Sequence, residues 1–336
     1  MTGPGTSTES EPAELGGRVH PDATKLRSHR DAARRPGNPL IDRIVAGKIR
    51  FKVSPPDSLV DRAERFHRLT LSCQDERRGE LAEAYRSLGG PETLVTMLCN
   101  QRYLPLLNRW VESCERRGIE PRGRTVVSTL DDETLVAARK LGLRSVPADP
   151  SRSDDIPESE KYGDGGFASV MLYKTLAVVD ALTVAPRVLF QDVDVIWLRD
   201  PVTDLDRRPA ADLHFMFDGW NAGHEPLFVN SGFFLAASTD VTRAVFDTLL
   251  HNSAYVLAHR SQQAPLNQIL GHFLLHNVLD VAILPESVYL NGHLFNMKSG
   301  LAPAAREWAR DGVVVHYSWT GTLPEKLDKL ERFELR

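Results

Sequence analysis

Apolar positions along this chain change rhythm twice, and each change marks a different kind of element. Over residues 59–88, Leu59, Ala63, Phe66 and Leu69, then Leu81, Ala84 and Leu88, recur at spacings of three and four, the period of one helical face. Gly89-Gly90 provides the stop. The polar run over 74–80 predicts a division into two helices. From Pro91 onward, short apolar runs alternate with stretches of helical period. Residues 93–98 (TLVTML), 125–130 (TVVSTL), 144–146, 187–190 (RVLF) and 213–217 (LHFMF) read as strands. Residues 102–117, 132–141 and 167–182 read as helices, the first two closed by Gly118 and Gly142. Strands alternating with helices predict an α/β fold, a Rossmann-like, mainly parallel sheet with helices on both faces. After Leu227 the rhythm loosens. LFVNSGFFLAAS predicts two short strand pieces around Asn230-Ser231-Gly232, and residues 239–257 one long helix. Residues 282–284 and 313–317 read as further strands, so the second half is mixed, with the longer loops on which binding sites are usually built.

Composition narrows this picture without redirecting it. A chain of 336 residues, 42% apolar and 26% charged, can bury the core of one large domain or two smaller ones. Its formal charge of −4 gives no global basic field, so no nucleic-acid partner is expected. No apolar run approaches ~18 residues, so no membrane span is expected either. Cys73, Cys99 and Cys114 are odd in number and lack Cys-x-x-Cys spacing, which argues for small buried apolar residues rather than a disulfide framework or zinc knuckle. The first 17 residues are Thr/Ser/Glu/Gly/Pro-rich and lack the charged and apolar regions of a secretory signal. Disorder there, and a cytoplasmic location, are the expectations. Residues 18–52 turn basic, as a solvated arm packed on the body or another subunit, or as a contact for an acidic partner.

The densest chemistry lies in residues 187–201, RVLFQDVDVIWLRDP. A wholly apolar strand runs into Asp192-Val193-Asp194. In extended chain, residues two apart project to one face, which would align Asp192 with Asp194. In open α/β sheets ligands sit beyond the carboxyl ends of the strands. Two carboxylates there repel each other and lose hydration, and a divalent cation offsets both costs. An all-oxygen pair suits Mg²⁺ or Mn²⁺, usually bridged to substrate phosphates.

The same stretch resembles the signature of nucleotide-diphospho-sugar transferases, the plant xylosyl- and arabinosyltransferase type of GT-A glycosyltransferase. Other segments share the likeness in order and spacing over roughly residues 92–333. TLVTMLCNQRYLPLLNRWVESCERRGI resembles the family's opening strand and helix. Lys174 matches a recurrent lysine ahead of the Asp-x-Asp strand, and Asn230-Ser231-Gly232 the Asn-x-Gly strand start. Gln263 with Leu266-Asn267 resembles the Asp-Gln-x-x-Leu-Asn element, and His316, Gly321 and Lys326 the terminal His…Gly…Lys segment. The chain departs from the pattern at Gln262, where an aspartate usually stands.

The resemblance implies a GT-A fold with a mixed C-terminal half and a helical N-terminal extension. The corresponding division is an arm-like or disordered segment over 1–57, a helical extension over 58–90 and a catalytic domain over 91–336. Within it, 91–226 would bind nucleotide and 227–336 sugar and acceptor. The implied reaction is metal-dependent transfer of a sugar from a nucleoside-diphosphate sugar, a UDP-sugar, to an acceptor hydroxyl with retention of configuration. The acceptor is a small molecule, peptide or glycan. Asp192, Asp194 and His316 would hold Mn²⁺ or Mg²⁺, with imidazole favouring Mn²⁺. Lys174 and Lys326 would meet the diphosphate. Asn100, Gln101 and Asp131 or Asp132 would read nucleobase or ribose, with helix capping as a competing role for Asp131. Asn230 and Gly232 would admit the transferred sugar. Gln263 and Asn267 would share a helical face toward the donor, and Gly321 would line the same side. Asp218 and Trp220 would help form the acceptor side, and the loop Tyr162-Gly163-Asp164-Gly165-Gly166 would lie near the donor. No Ser or Cys nucleophile motif occurs. Two other readings stay open: a nucleotidyltransferase on a similar scaffold, for which MLCNQRYLP lacks a Gly-rich basic loop, and a binding protein using the basic arm.

Overall fold

A computed structural model describes residues 39–148, 165–219, 228–292 and 311–334. The described N-terminal elements are helical: α1 (Pro39–Val45), α2 (Asp57–Ser72) and α3 (Gln74–Ser87). The expected break in the 59–88 stretch falls at Cys73. Then follow β1 (Thr93–Cys99), α4 (Leu104–Arg116), β2 (Thr125–Thr129), α5 (Asp132–Lys140), β3 (Arg144–Pro147), α6 (Gly165–Val184), β4 (Arg187–Gln191), β5 (Val195–Trp197), α7 (Pro201–Leu205) and β6 (Leu213–Phe217). The chain continues as β7 (Val229–Ala237), α8 (Asp240–His251), α9 (Ser253–His259), α10 (Gln263–Leu275), β8 (Val281–Leu284), β9 (Tyr289–Asn291), β10 (Val314–His316) and α11 (Leu323–Glu334).

The main sheet has the order β3-β2-β1-β4-β7-β6-β8. Its pairs are parallel except where β7 runs antiparallel to β4 and β6. This is the mainly parallel, helix-flanked sheet with a mixed second half that the alternation of strands and helices predicts. Alternation along each strand splits the core into two layers. Leu94 and Leu98 of β1, with Val188 and Phe190 of β4, join α2, α3, α6, α8 and α10 on one face. Val95, Met97 and Leu189 join α4, α5 and a second sheet on the other. That second sheet, β5-β10-β9, pairs β10 antiparallel to β5 and parallel to β9.

Three expectations change. Residues 229–237 form one strand rather than two pieces. Its ladder with β6 shifts register between Phe215↔Phe234 and Phe217↔Val229, so the irregularity at Asn230-Ser231-Gly232 is absorbed as a bulge, not a break. The single helix expected over 239–257 is two helices, because the chain leaves helical geometry at Asn252 (φ −95°, ψ 30°). Asp192 and Asp194 do not lie in extended chain: the strand ends at Gln191, and residues 193–194 form a turn into β5. Gln191 Oε1 accepts from Trp197 Nε1 at 2.6 Å across that turn and braces it.

One described helix stretch, residues 166–184, is long and apolar enough to cross a membrane by composition, contrary to the expectation from runs alone. Its most apolar window is 78% buried inside the protein, where it packs between the sheet and α8, α9 and α3.

Candidate functional site

Tertiary pairing, not sequence proximity, assembles the site. Strand β10 pairs with β5 in the register His316↔Val195, which sets the imidazole beside Asp194. The Tyr317 amide donates to the Asp194 carbonyl at 3.0 Å, extending that register past the turn. On the other side, the Asp192 amide donates to the Gly232 carbonyl at 2.8 Å, continuing the β4–β7 ladder. His316 Nε2 consequently lies 3.3 Å from Asp194 Oδ1 and 3.7 Å from Asp192 Oδ2. One ligand atom from each of the three falls within 4.8 Å of the others.

Two lysines complete this cluster. Lys174, buried on the apolar α6, places Nζ 2.6 Å from Asp192 Oδ1 and 5.0 Å from the Phe190 ring centroid. Lys326, at the start of α11, pairs with Asp194 Oδ2. Burial alone would raise the Asp194 carboxyl, but Lys326 and His316 outweigh it and hold the group far below the usual carboxylate range. Burial likewise opposes the charged form of Lys326, and Asp194 reverses that, so its ammonium is strengthened.

The donor set fits a divalent cation: two carboxylates and an imidazole nitrogen facing one point. Gly232 shows how that point is kept open. A Cβ on residue 232 would collide with His316 Cε1 and Asp192 Oδ2 and lie 2.9 Å from His316 Nε2. The missing side chain therefore leaves room against the ligand atoms.

These residues line a cavity of about 550 Å³. Its inner wall is apolar, with Leu98, Leu106, Val170 and Met171. Its polar side centres on Asp218, buried at the end of β6. Asp218 Oδ1 accepts from Asn230 Nδ2 at 2.5 Å, and Oδ2 accepts from Gln263 Nε2 at 2.7 Å. Gln263 Oε1 in turn accepts from the Ser231 amide at 3.2 Å. Asn230 Oδ1 accepts from the Gly232 amide at 2.7 Å and shapes the bulge from within.

The structure thus brings together Lys174, Asp192, Asp194, Asp218, Asn230, Gly232, Gln263, His316, Gly321 and Lys326 around one cavity. It separates others. Asn267 does not share the outlook of Gln263: its amide clamps Val229, accepting from the backbone amide at 2.8 Å and donating to the carbonyl at 3.1 Å. Asn100, Gln101 and Asp131 stand at the tips of β1 and β2, outside the cavity lining. Asn100 Oδ1 accepts from Tyr103 N at 3.3 Å. Asp131 caps α5, accepting from Thr134 N at 2.7 Å, and also accepts from Gln101 N at 2.8 Å. Asp132 is exposed in the first turn of α5. Gln262, where the family pattern departs, is buried and does not line the cavity, whereas the carboxylate of Asp218 does. Trp220 and Tyr162-Gly163-Asp164 lie outside the described residues, and Gly165 opens α6.

Sequence reasoning missed Tyr103 and Trp319, both in the cavity lining. Burial raises the Tyr103 hydroxyl above its ordinary value, against Lys326 nearby. The signal for Trp319 was an aromatic residue lodged between His316 and Gly321 in HYSWTG.

A family model described as nucleotide-diphospho-sugar transferase matches residues 122–332 of the chain. The chain is 25% identical over 284 residues to UDP-D-xylose:L-fucose alpha-1,3-D-xylosyltransferase 3 of Arabidopsis thaliana, covering 79% of this chain and 72% of that protein. It is 30% identical over 166 residues to beta-arabinofuranosyltransferase RAY1 of the same plant, covering 48% of this chain and 30% of that protein. Among solved structures, the galactosyltransferase LgtC in complex with donor and acceptor sugar analogs aligns with a TM-score of 0.45 at 16% identity, over 72% of this chain and 94% of that one. Mouse xyloside xylosyltransferase 1 in its apo form aligns with a TM-score of 0.42 at 12% identity, over 68% and 98%.

Proposed function

Because the chain belongs to the nucleotide-diphospho-sugar transferase family, and is a glycosyltransferase using a nucleotide-sugar donor, we propose that its cavity carries out metal-dependent transfer from a UDP-sugar to an acceptor hydroxyl with retention. The observation that carries this reading is the convergence of Asp192, Asp194 and His316 on the space left by Gly232. Asp194 and His316 would be the direct ligands for Mn²⁺ or Mg²⁺, and Asp192 would be either the third or a contact to the ribose. The bound ion supplies positive charge to the departing diphosphate.

The chain's own groups do the rest. Lys174 and Lys326, each already beside a carboxylate, lend their ammonium groups to the diphosphate. Asn100, Gln101 and Asp131, at the tips of β1 and β2 and outside the cavity lining, would meet only a nucleoside that extends past it. The bulge at Asn230-Ser231-Gly232 brings backbone close to the transferred sugar. Asp218, held by Asn230 and Gln263, presents a fixed carboxylate to that sugar's hydroxyls. In this scheme residues 91–226 serve the nucleotide and residues 227–336 the sugar and acceptor.

A thermal-shift titration with UDP, with and without Mn²⁺, tests the scheme. Wild type should gain melting temperature only when both are present, and Asp194→Ala should lose the gain while melting cooperatively. Full turnover by Asp194→Ala in Mn²⁺ buffer, or an unchanged wild-type rate in EDTA, overturns the metal assignment. Free UDP as the product, with the anomeric configuration read by NMR, tests the reaction class and retention separately.

A further inference from the structure

We propose that the face formed by residues 43–53 on helices α9 and α10 is a docking surface for an anionic phospholipid bilayer, on which the protein lies without spanning it. This face is separate from the cavity, and its role does not depend on the glycosyltransferase reading.

Of the described basic residues in the stretch 18–52, none lines the cavity. Beyond α1 the chain runs along α10 as irregular backbone. His272 Nε2 lies 2.9 Å from Ile44 O at one end, and the Lys52 amide donates to Gln268 Oε1 at 3.0 Å at the other. Side chains between these anchors alternate. Ile49 and Phe51 pack against the core, Phe51 stacking on Tyr255 of α9, while Lys48 and Arg50 are exposed. Neither Lys48 nor Arg50 forms an ion pair among the described residues. The surroundings add no opposing charge. Residues 43–56 and 248–279 contain no Asp or Glu, in a chain that has 45. Within 248–279 the one Lys or Arg is Arg260, exposed at the end of α9. The bounding acids are Asp42, Asp57, Asp247 and Asp280. A chain of net charge −4 thus gathers positive charge on this face, where it complements an anionic leaflet.

Exposed apolar side chains select a bilayer over a soluble polyanion. Leu275 is 87% exposed at the end of α10, and Val45 and Val53, at the two ends of the basic segment, are 42% and 39% exposed. Leu275 lies one turn beyond His272, the residue that meets Ile44, so leucine and valine stand at the same end of the face. A soluble polyanion gains nothing from them. At a lipid headgroup layer they reach the acyl boundary while the basic side chains meet lipid phosphates. The face also leaves the cavity accessible. Gln263 lines the cavity at the start of α10, and Leu275 stands at the opposite end, about 18 Å along the helix axis.

The test uses the full chain and sedimentation with sucrose-loaded vesicles, made of phosphatidylcholine alone or mixed with phosphatidylserine. Wild type should pellet with the mixed vesicles and stay in solution with phosphatidylcholine alone, and high salt should release it. A basic residue near an anionic leaflet is worth roughly fivefold in binding, so the double variant Lys48→Gln/Arg50→Gln should bind more weakly by about tenfold or more. Leu275→Ser should also weaken binding. Arg144→Gln, on the edge strand β3 away from this face, should bind as wild type does. All the substituted side chains are exposed, so the variants should melt with wild type. Wild type that pellets with neither vesicle, or equally with both, overturns the inference. A double variant within about twofold of wild type also overturns it, because the charge that binds then lies elsewhere in the chain. Heparin binding, together with vesicle binding that Leu275→Ser leaves unchanged, identifies a soluble polyanion as the partner and overturns the bilayer.

Discussion

At the scale of single residues, Gly232 is the sharpest test of the site. It matters for the atom it lacks, because a methyl group there would occupy the space shared by His316 and Asp192. Gly232→Ala should weaken Mn²⁺ binding by about 10- to 100-fold, the range seen when groups supporting a metal site are disturbed. Isothermal titration checks it, and a normal Mn²⁺ affinity would show that the three side chains do not enclose the ion. The cysteines make a second case. Burial pushes the Cys114 thiol up to about 12 and the Cys99 thiol higher still. A thiol whose folded value is raised contributes stability below its unfolded value near ~8.5 and loses it as pH climbs toward the folded value. Native protein at pH 8 should therefore leave both unreactive toward a disulfide reagent, with labelling appearing only on unfolding. Stability measured by denaturant should decline above about pH 9.

At the scale of elements, the site depends on how β7 is held. The strand bulges at Asn230-Ser231-Gly232, and α10 secures its first residue through both amide atoms of Asn267. Asn267→Ala would leave the buried Val229 amide and carbonyl without that partner, at a cost of about 1–3 kcal/mol. Chemical denaturation should show this loss while the Mn²⁺ affinity of the folded protein stays near wild type. A selective loss of donor binding with unchanged stability would instead restore the reading in which Asn267 faces the cavity. The contrast with Gln263 is instructive. The two lie four residues apart on one helix and both bond β7, yet only Gln263 also lines the cavity. A shared helical face says which direction side chains take, not which surface meets them.

At the scale of the whole molecule, the N-terminal helices belong to the same core as the sheet. Ala63, Phe66 and Leu81 pack in the layer that contains α6 and α10. Buried Arg77 pairs with Asp180 of α6, and Arg78 adds a second contact to Asp180 at 2.9 Å. Arg77 also donates to Thr70 O at 2.9 Å. Further upstream, His272 Nε2 lies 2.9 Å from Ile44 O, and Phe51 stacks on Tyr255 with centroids 3.9 Å apart. Arg77→Met should cost about 1–3 kcal/mol in chemical denaturation, because Asp180 keeps Arg78 while the buried Thr70 carbonyl and one Asp180 oxygen lose their partner. A chain beginning at residue 91, the start of the expected catalytic domain, should aggregate or bind a hydrophobic dye, as sedimentation and dye fluorescence would show. A soluble, cooperatively melting fragment would mean the helices are dispensable.

Much of this was legible from residues alone. The apolar runs at 93–98, 125–130, 187–190 and 213–217 fall on β1, β2, β4 and β6, because a strand buried on both faces must be apolar throughout. Asp192 and Asp194 stood out because charge at the end of an apolar strand is expensive without a partner, and Lys174, His316 and Lys326 because they match the pattern of the family that the chain resembles. What the order of residues could not say is how these charges divide among one another. The bulge in β7, the brief strands β5 and β9, and the left-handed turn at Trp319 depend on pairings between segments far apart in the chain. Short elements carry too little periodicity to announce themselves. Their conformation is set by the hydrogen bonds and packing surfaces that only the folded chain brings into reach.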